Sequence, residues 1–441
     1  MTEATPAGAR RSRPRALPLS VAAVVVLLPV GDTGVPGLGL PLAYVAMVVP
    51  SVLALRILLR DEAPVPRSLI LAGSTLGLVS GIVSGALGVA PDRSISLVLV
   101  SCLTLGYGLA VALAFRPGLE VDGTDLLVVV GGVVAALALT STGTLQAAEG
   151  GNVVSGRLTG PFAQPNELGL FCAAVLPLTV ACVVTTVRSR GRLVLGLSGA
   201  CLAVACLMSM SRGAWLGAGV ALVLLAVCEP RTRRLLAAVG LAVAATCVLA
   251  LAVPARTAVL GVLGSRIRSL GDPTQNQYDD RPLTWAEALR QADEHPWFGV
   301  GPGGFHDAST DSASAVSAQP PDHPHNLLLT VLADRGVVGV ALGVLVVVGC
   351  VVAARRQLRS PARPDGTHRP MRTRSLAVVA GLSAVAVHGA IDMPLRNPIV
   401  SGLVWTLLGM AMVAETARPT DREPLAVGRP VPDADHTRSR R

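Results

Sequence analysis

Pro324-His325-Asn326-Leu327-Leu328-Leu329 joins a titratable ring to the start of an apolar run. It closes the polar stretch 254–325 and opens a hydrophobic one, so His325 is expected at a water–lipid boundary. An imidazole titrates ordinarily near ~6.5 and can take or give a proton at neutral pH. That placement favours an enzyme over a plain channel. Asn326 and His306 are weaker candidates from the same stretch. Two further groups are placed for chemistry. Arg212 stands in Ser211-Arg212-Gly213, the short gap between two apolar runs, and Arg281 precedes Pro282-Leu283-Thr284-Trp285. A guanidinium in the gap of a membrane hairpin is costly unless it is paired or faces water, which makes it a functional candidate. The competing reading is an arginine that snorkels to the interface. Arg157 and Asn166, in Gly156-Arg157-Leu158-Thr159-Gly160-Pro161-Phe162-Ala163-Gln164-Pro165-Asn166, and His388 with Asp392 complete the polar residues at helix ends on the same side.

The elements that must hold these groups are membrane helices. The chain has 441 residues, 51% hydrophobic and 15% charged, with mean hydropathy +0.59, too apolar for a soluble protein of this length. A bilayer core takes about 20 apolar residues per helix, and such runs fall at 16–31, 38–59, 68–90, 94–115, 125–142, 167–187, 191–209, 212–228, 234–253, 326–353, 375–391 and 397–415. The expected fold is an all-α integral membrane protein of about twelve transmembrane helices. Its divisions are a basic N-terminus (1–15), nine spans (16–253), the loop 254–325, three spans (326–415) and a disordered tail (416–441).

All 37 basic residues are arginine. Arg10, Arg11, Arg13 and Arg15 precede the first span and orient the N-terminus to the cytoplasm. Alternation from there puts the Arg188-Arg190-Arg192, Arg231-Arg233-Arg234 and Arg355–Arg374 clusters inside and the loop 254–325 outside. That loop carries five arginines against nine carboxylates, opposite in sign to the chain's net +9. The basic balance is therefore a positive-inside bias and calls for no nucleic acid. The N-terminal run reads as an uncleaved signal-anchor, since Gly31-Asp32-Thr33-Gly34 offers no small-x-small cleavage site. The eight cysteines lie in or beside the spans as small hydrophobes, and no Cys/His spacing marks a metal site.

Inside the loop, Pro282–Glu294 reads as a helix with an apolar stripe of Leu283, Ala286, Leu289 and Ala292, suited to the membrane surface. Its glycine-rich continuation, His295-Pro296-Trp297-Phe298-Gly299-Val300-Gly301-Pro302-Gly303-Gly304, lacks the Lys-Ser/Thr of a P-loop. A tight turn is the better reading. Ser309–Gln319 reads as a mobile flap.

Taken in order, Gly160-Pro161-Phe162 with Pro165-Asn166, Ser211-Arg212-Gly213-Ala214-Trp215, Arg281 with Trp285, His295–Gly303, His325-Asn326 and His388 with Asp392 resemble the O-antigen ligase and polymerase family, with its Wzy-like C-terminal region, over about residues 130–415. The resemblance implies a GT-C-like, metal-independent glycosyltransferase with no cofactor. Its donor would be an undecaprenyl-diphosphate-linked glycan on the outer face of the cytoplasmic membrane. Its acceptor would be a hydroxyl of a glycan, cell-wall polymer or protein. By the same resemblance His325 matches the essential histidine and Arg212 and Arg281 the pyrophosphate-binding arginines, with Arg157 and Asn166 as lesser donor contacts. A further loop arginine of the family has no counterpart here except Arg290, and His306 is its possible stand-in. The alternatives are a secondary transporter of a small anion, which would put charges along the spans, and a non-catalytic envelope-assembly scaffold.

Overall fold

A computed structural model describes residues 16–60, 63–115, 123–140, 157–252, 281–310, 322–359 and 368–416. The expected N-terminal segment 1–15, the stretch 254–280, most of the Ser309–Gln319 flap and nearly all of the tail lie outside them. The helices are α1 (Ala16–Leu27), α2 (Leu42–Leu59), α3 (Leu69–Leu87), α4 (Pro91–Ala114), α5 (Gly123–Thr140), α6 (Pro165–Thr185), α7 (Ser189–Met208) and α8 (Arg212–Cys228). They continue with α9 (Pro230–Ala252), α10 (Arg281–Glu294), α11 (Phe305–Thr310), α12 (Leu327–Arg359), α13 (His368–Gly389) and α14 (Pro398–Thr416). Among the described residues the only β pairing is a single bridge between Gly34 and Pro41.

The all-helical build follows from the solvent. Hydrocarbon offers no partner for a backbone amide, so each apolar run must satisfy its own N–H and C=O groups. Proline at the first position of α4, α6, α9 and α14 loses no hydrogen bond and sets the helical φ. Among the described residues, α2–α7, α12 and α14 are the eight helices long and apolar enough to cross a membrane, and α1 and α8 are apolar but shorter. With α9 and α13, a helix stands at each of the twelve expected positions.

Helix α6 lies at the centre, packed by α5, α7, α8 and α13, while α14 packs on α4 and α12 on α3. Small residues allow close approach: a Cβ on Gly381 would meet the Ala174 carbonyl, and one on Gly217 the Ala384 backbone.

One expectation about the end of the loop is corrected. The tenth span does not run unbroken from the histidine. Gly336 has φ +61 and splits α12, so Leu327–Arg335 is a separate short helix and only the part after Gly336 continues as the long apolar one. The loop helix forms over Arg281–Glu294, and the face it packs against the protein holds Thr284, Glu287, Ala288 and Gln291. Leu283 and Leu289 of the apolar stripe are 52% and 54% exposed. The packed face is polar because Gln291 Nε2 bonds the Phe305 carbonyl (3.1 Å) and Ser309 Oγ (3.0 Å). Arg290 is spent on Glu287 and Glu294 within the same helix.

Helices α10 and α11 and the first part of α12 share a small core of Ala288, Phe305 and Ala333. The glycine-rich segment joins this unit to the helix break. Val300 N–H and Gly301 N–H donate to the carbonyls of Ala333 (2.8 Å) and Asp334 (3.1 Å), which the break leaves open. Val337 N–H and Val338 N–H donate to the carbonyls of Pro296 (2.8 Å) and Trp297 (3.4 Å). A Cβ on Gly299 or Gly336 would collide with backbone, so glycine is required at both. The tight-turn reading holds, and the turn's work is to complete a broken helix.

Candidate functional site

His325 precedes α12 with φ +51, one of two non-glycine residues at positive φ among those described. A left-handed residue costs roughly 1–2 kcal/mol and persists only where its surroundings fix it. Asn326 supplies the fixing. Its Oδ1 accepts from Leu329 N–H (3.1 Å) as a helix cap, and its Nδ2 donates to the Ala390 carbonyl (2.8 Å) after α13. Thr284 Oγ1 reaches the Pro324 carbonyl (3.3 Å) and anchors α10 to the same turn. Asn326 is thus a structural residue that aims its neighbour.

A continuous polar chain leads from His325 into the helix ends. His325 Nδ1 lies 3.5 Å from Asp392 Oδ1. Asn166 Nδ2 donates to Asp392 Oδ2 (2.7 Å), and Arg157 Nη2 donates to Asn166 Oδ1 (2.6 Å). Arg157 Nε donates in turn to the Ser209 carbonyl (3.0 Å). Burial alone would raise the Asp392 carboxyl. Hydrogen bonding from His325, the adjacent His388 ring and the Met393 N–H outweigh it and hold the group well below the usual carboxylate range. Asp392 is therefore an anion at any physiological pH, and it selects the Nδ1–H tautomer of His325. The lone pair then sits on Nε2, the form a general base needs.

Beside this chain lies a second group. The His323 and His325 rings are 4.4 Å apart between centroids. Arg396 Nη1 lies 2.8 Å from His323 Nδ1 and 3.6 Å from Asp322 Oδ2, and His306 Nδ1 lies 3.7 Å from Asp322 Oδ1. Burial, reinforced by His325 and Arg396, pushes His323 down to about 4, so its ring is neutral at neutral pH.

Arg212 opens α8 behind its cap Ser211, whose Oγ accepts from Ala214 N–H (3.4 Å) and lies 3.4 Å from His388 Nε2. The gap packs so closely on the end of α13 that a Cβ on Gly213 would meet Ile391 and His388. Arg281 opens α10, and its charge acts on His388. His388 is buried with its Nδ1 unpartnered.

His323, His325 and Asp392 offer ligand atoms within 4.8 Å of one another, near enough to share a cation. Arg396 already engages Nδ1 of His323 and brings a positive charge of its own, so the donor set fits a metal poorly.

The structure thus brings His325, Asn166 and Arg157 into one chain and turns Asn326 into its support. His306 reaches the group only through Asp322. Arg212 follows the Ser211 that lies beside His388, and the charge of Arg281 acts on the same ring. Sequence reasoning left Asp392 outside the site although its position beside His388 was visible. It ranked His323 below His325 as a candidate, and for Arg396 no signal existed.

Residues 197–344 match the family model described as O-Antigen ligase (Wzy_C), a segment holding Arg212, Arg281, His306, His325 and Asn326. Arg157, Asn166, His388, Asp392 and Arg396 lie outside it. No curated protein matches the chain. The match to the O-antigen ligase family model over residues 197–344 thus falls on a multi-pass membrane protein whose described residues are helical.

Proposed function

We propose that the chain transfers or polymerises a glycan from undecaprenyl diphosphate onto an acceptor hydroxyl, on the outer face of the cytoplasmic membrane, in surface polysaccharide synthesis. The observation that carries this reading is the contact of His325 with Asp392, itself fixed by Asn166 and Arg157. A family domain of the ligase or polymerase kind supports the reaction class.

The chemistry is an exchange at the anomeric carbon. The acceptor oxygen forms its new bond there while the bond to the diphosphate oxygen breaks, and the leaving diphosphate takes the electron pair. His325 Nε2 receives the hydroxyl proton, and the imidazolium that results is stabilised by the Asp392 carboxylate. Arg212 and Arg281 hold the charge that grows on the diphosphate, since guanidinium binds such oxygens bidentately and keeps its charge at all working pH values. Arginines in this role need no metal ion. Asn166 donates to Asp392 and Arg157 to Asn166, which supports a reading in which both position the base.

The test is complementation of a strain lacking the chain with wild type, His325→Ala or Arg281→Ala at equal membrane levels. Surface polysaccharide and undecaprenyl-diphosphate-linked glycan are quantified together. Loss of polymer with build-up of the lipid-linked donor is expected. Normal polymer from both variants would overturn the assignment and favour a transporter or scaffold.

A further inference from the structure

Asp322, His323, Arg396 and His306 form a polar rim against the His325 ring that the proposed transfer step leaves unused. Its tautomers can be read from its partners. A guanidinium has no lone pair to offer, so the His323 Nδ1 that faces Arg396 Nη1 at 2.8 Å carries the acceptor lone pair. The neutral ring then holds its proton on Nε2. His325 is the reverse, with its proton on the Nδ1 that faces Asp392. Two imidazoles in ring contact are therefore set in opposite forms. His325 can accept a proton, and His323 can only donate a hydrogen bond.

The rest of the rim points to what receives that bond. Asp322 is 63% exposed, and its oxygens meet His306 and Arg396 only at 3.7 and 3.6 Å, so lone pairs remain to accept from hydroxyls. The Arg396 side chain is half exposed, and its remaining N–H groups donate outward. A carboxylate among the donors repels a diphosphate but suits a ligand that both gives and takes hydrogen bonds. Paired hydroxyls of a sugar have that character, whereas a lipid diphosphate does not.

We infer that Asp322, His323 and Arg396 form the acceptor subsite, that the acceptor is a glycan end bearing neighbouring hydroxyls, and that His323 Nε2–H holds the oxygen poised for His325. This rests on the proposed transfer reaction and names its acceptor side.

The experiment uses the purified full chain in nanodiscs together with complemented cells. Undecaprenyl diphosphate is the binding probe, and surface polymer is the cellular readout. His323→Phe and Arg396→Met are expected to lower polymer by about ten-fold or more, the worth of a hydrogen bond to a polar partner with a charged neighbour, while probe affinity stays at the wild-type value. His323→Gln keeps an N–H donor and an oxygen acceptor for Arg396, and it is expected to restore polymer to within about three-fold of wild type. Arg281→Gln is expected to weaken the probe. Full polymer from both His323→Phe and Arg396→Met overturns the inference. So does probe loss in them equal to that of Arg281→Gln, which would move the rim to the donor side. So does a His323→Gln variant as inactive as His323→Phe. A wild-type chain that does not bind the probe sinks the transfer reading itself, an outcome distinct from these three.

Discussion

The two ends of α14 face opposite demands, and their polar residues answer differently. At its C-terminal end Glu415 is saturated. Ser68 Oγ donates to it at 2.5 Å and Leu69 N–H at 2.8 Å, so the carboxylate caps the positive end of α3, while Arg356 donates to its backbone carbonyl. Nearby Thr373 Oγ1 bonds Glu229 (3.0 Å), and Arg374 reaches Asp125 (3.1 Å) and the hydroxyls of Thr124, Thr185 and Thr186. These contacts staple helix ends, with strong donors matched to strong acceptors. At the His325 end the polar groups also form a chain, but it ends at partly exposed groups, His325, Arg396 and Asp322, with capacity left over. Saturated polar groups build the bundle, whereas those with capacity left over are available to a substrate.

The sharpest break of this comparison is His325→Ala. Loss of a general base lowers transfer by about 10²–10⁴-fold, read as polymer formed per unit of folded protein, with the helix bundle intact. Asp392→Asn keeps the shape but lets the carboxamide present either atom to Nδ1, so the tautomer is no longer selected. A loss of about 10²-fold or more is expected, with undecaprenyl diphosphate affinity retained. An Asp392→Asn variant at full activity would reduce the chain Arg157–Asn166–Asp392 to another staple.

The helices were legible in the sequence because lipid permits little else, and each expected run became one. The break in α12 was not. Leu327–Leu332 and Val337–Val352 are both apolar, and the Ala333-Asp334-Arg335-Gly336 between them looks tolerable in one helix until the φ of its glycine is seen. The polar face that α10 packs against the protein left no apolar pattern either. Apolar periodicity identifies a buried face only when the partner surface is apolar, and here the partners are the Phe305 carbonyl and Ser309. Of the site, the histidine and two arginines could be read from position and resemblance. The pairing of Asn166 with Asp392 spans 226 residues and leaves no local pattern. Arg396 lies in a short 3-10 turn before α14 and had no motif to mark it.

Next in size is Gly336→Ala. The left-handed φ costs about 1–2 kcal/mol for any residue with a Cβ, and the Cβ would also strike the Trp297 backbone. Unfolding of purified protein in detergent, followed by circular dichroism, should show a loss of more than about 2 kcal/mol together with loss of transfer. An unchanged melt would mean that the segment His295–Gly304 does not hold the break closed. At the opposite end, Glu415→Gln should cost about 1–3 kcal/mol by weakening a charged cap, with transfer per folded molecule unaltered. Any specific loss of transfer there would blur the division between the two ends.

The smallest expected effect concerns acid. His323 is held at about 4, below the ordinary ~6.5. The unfolded chain therefore binds more protons between these values. Its contribution to stability is complete above about 6.5 and is lost as pH falls toward 4. Asp392 is also depressed, but its contribution is lost only below the unfolded carboxylate value of about 3.9, outside that window. Asp32, raised by burial, acts with the opposite sign. The difference between wild type and His323→Gln thus isolates the imidazole. Wild type should lose thermal stability from pH 6.5 to 4 more steeply than His323→Gln, by a small margin because the ring is only half-buried. Parallel curves would mean that His323 is as well solvated in the folded chain as in the unfolded one. It would then lack the fixed neutral form that sets it apart from His325.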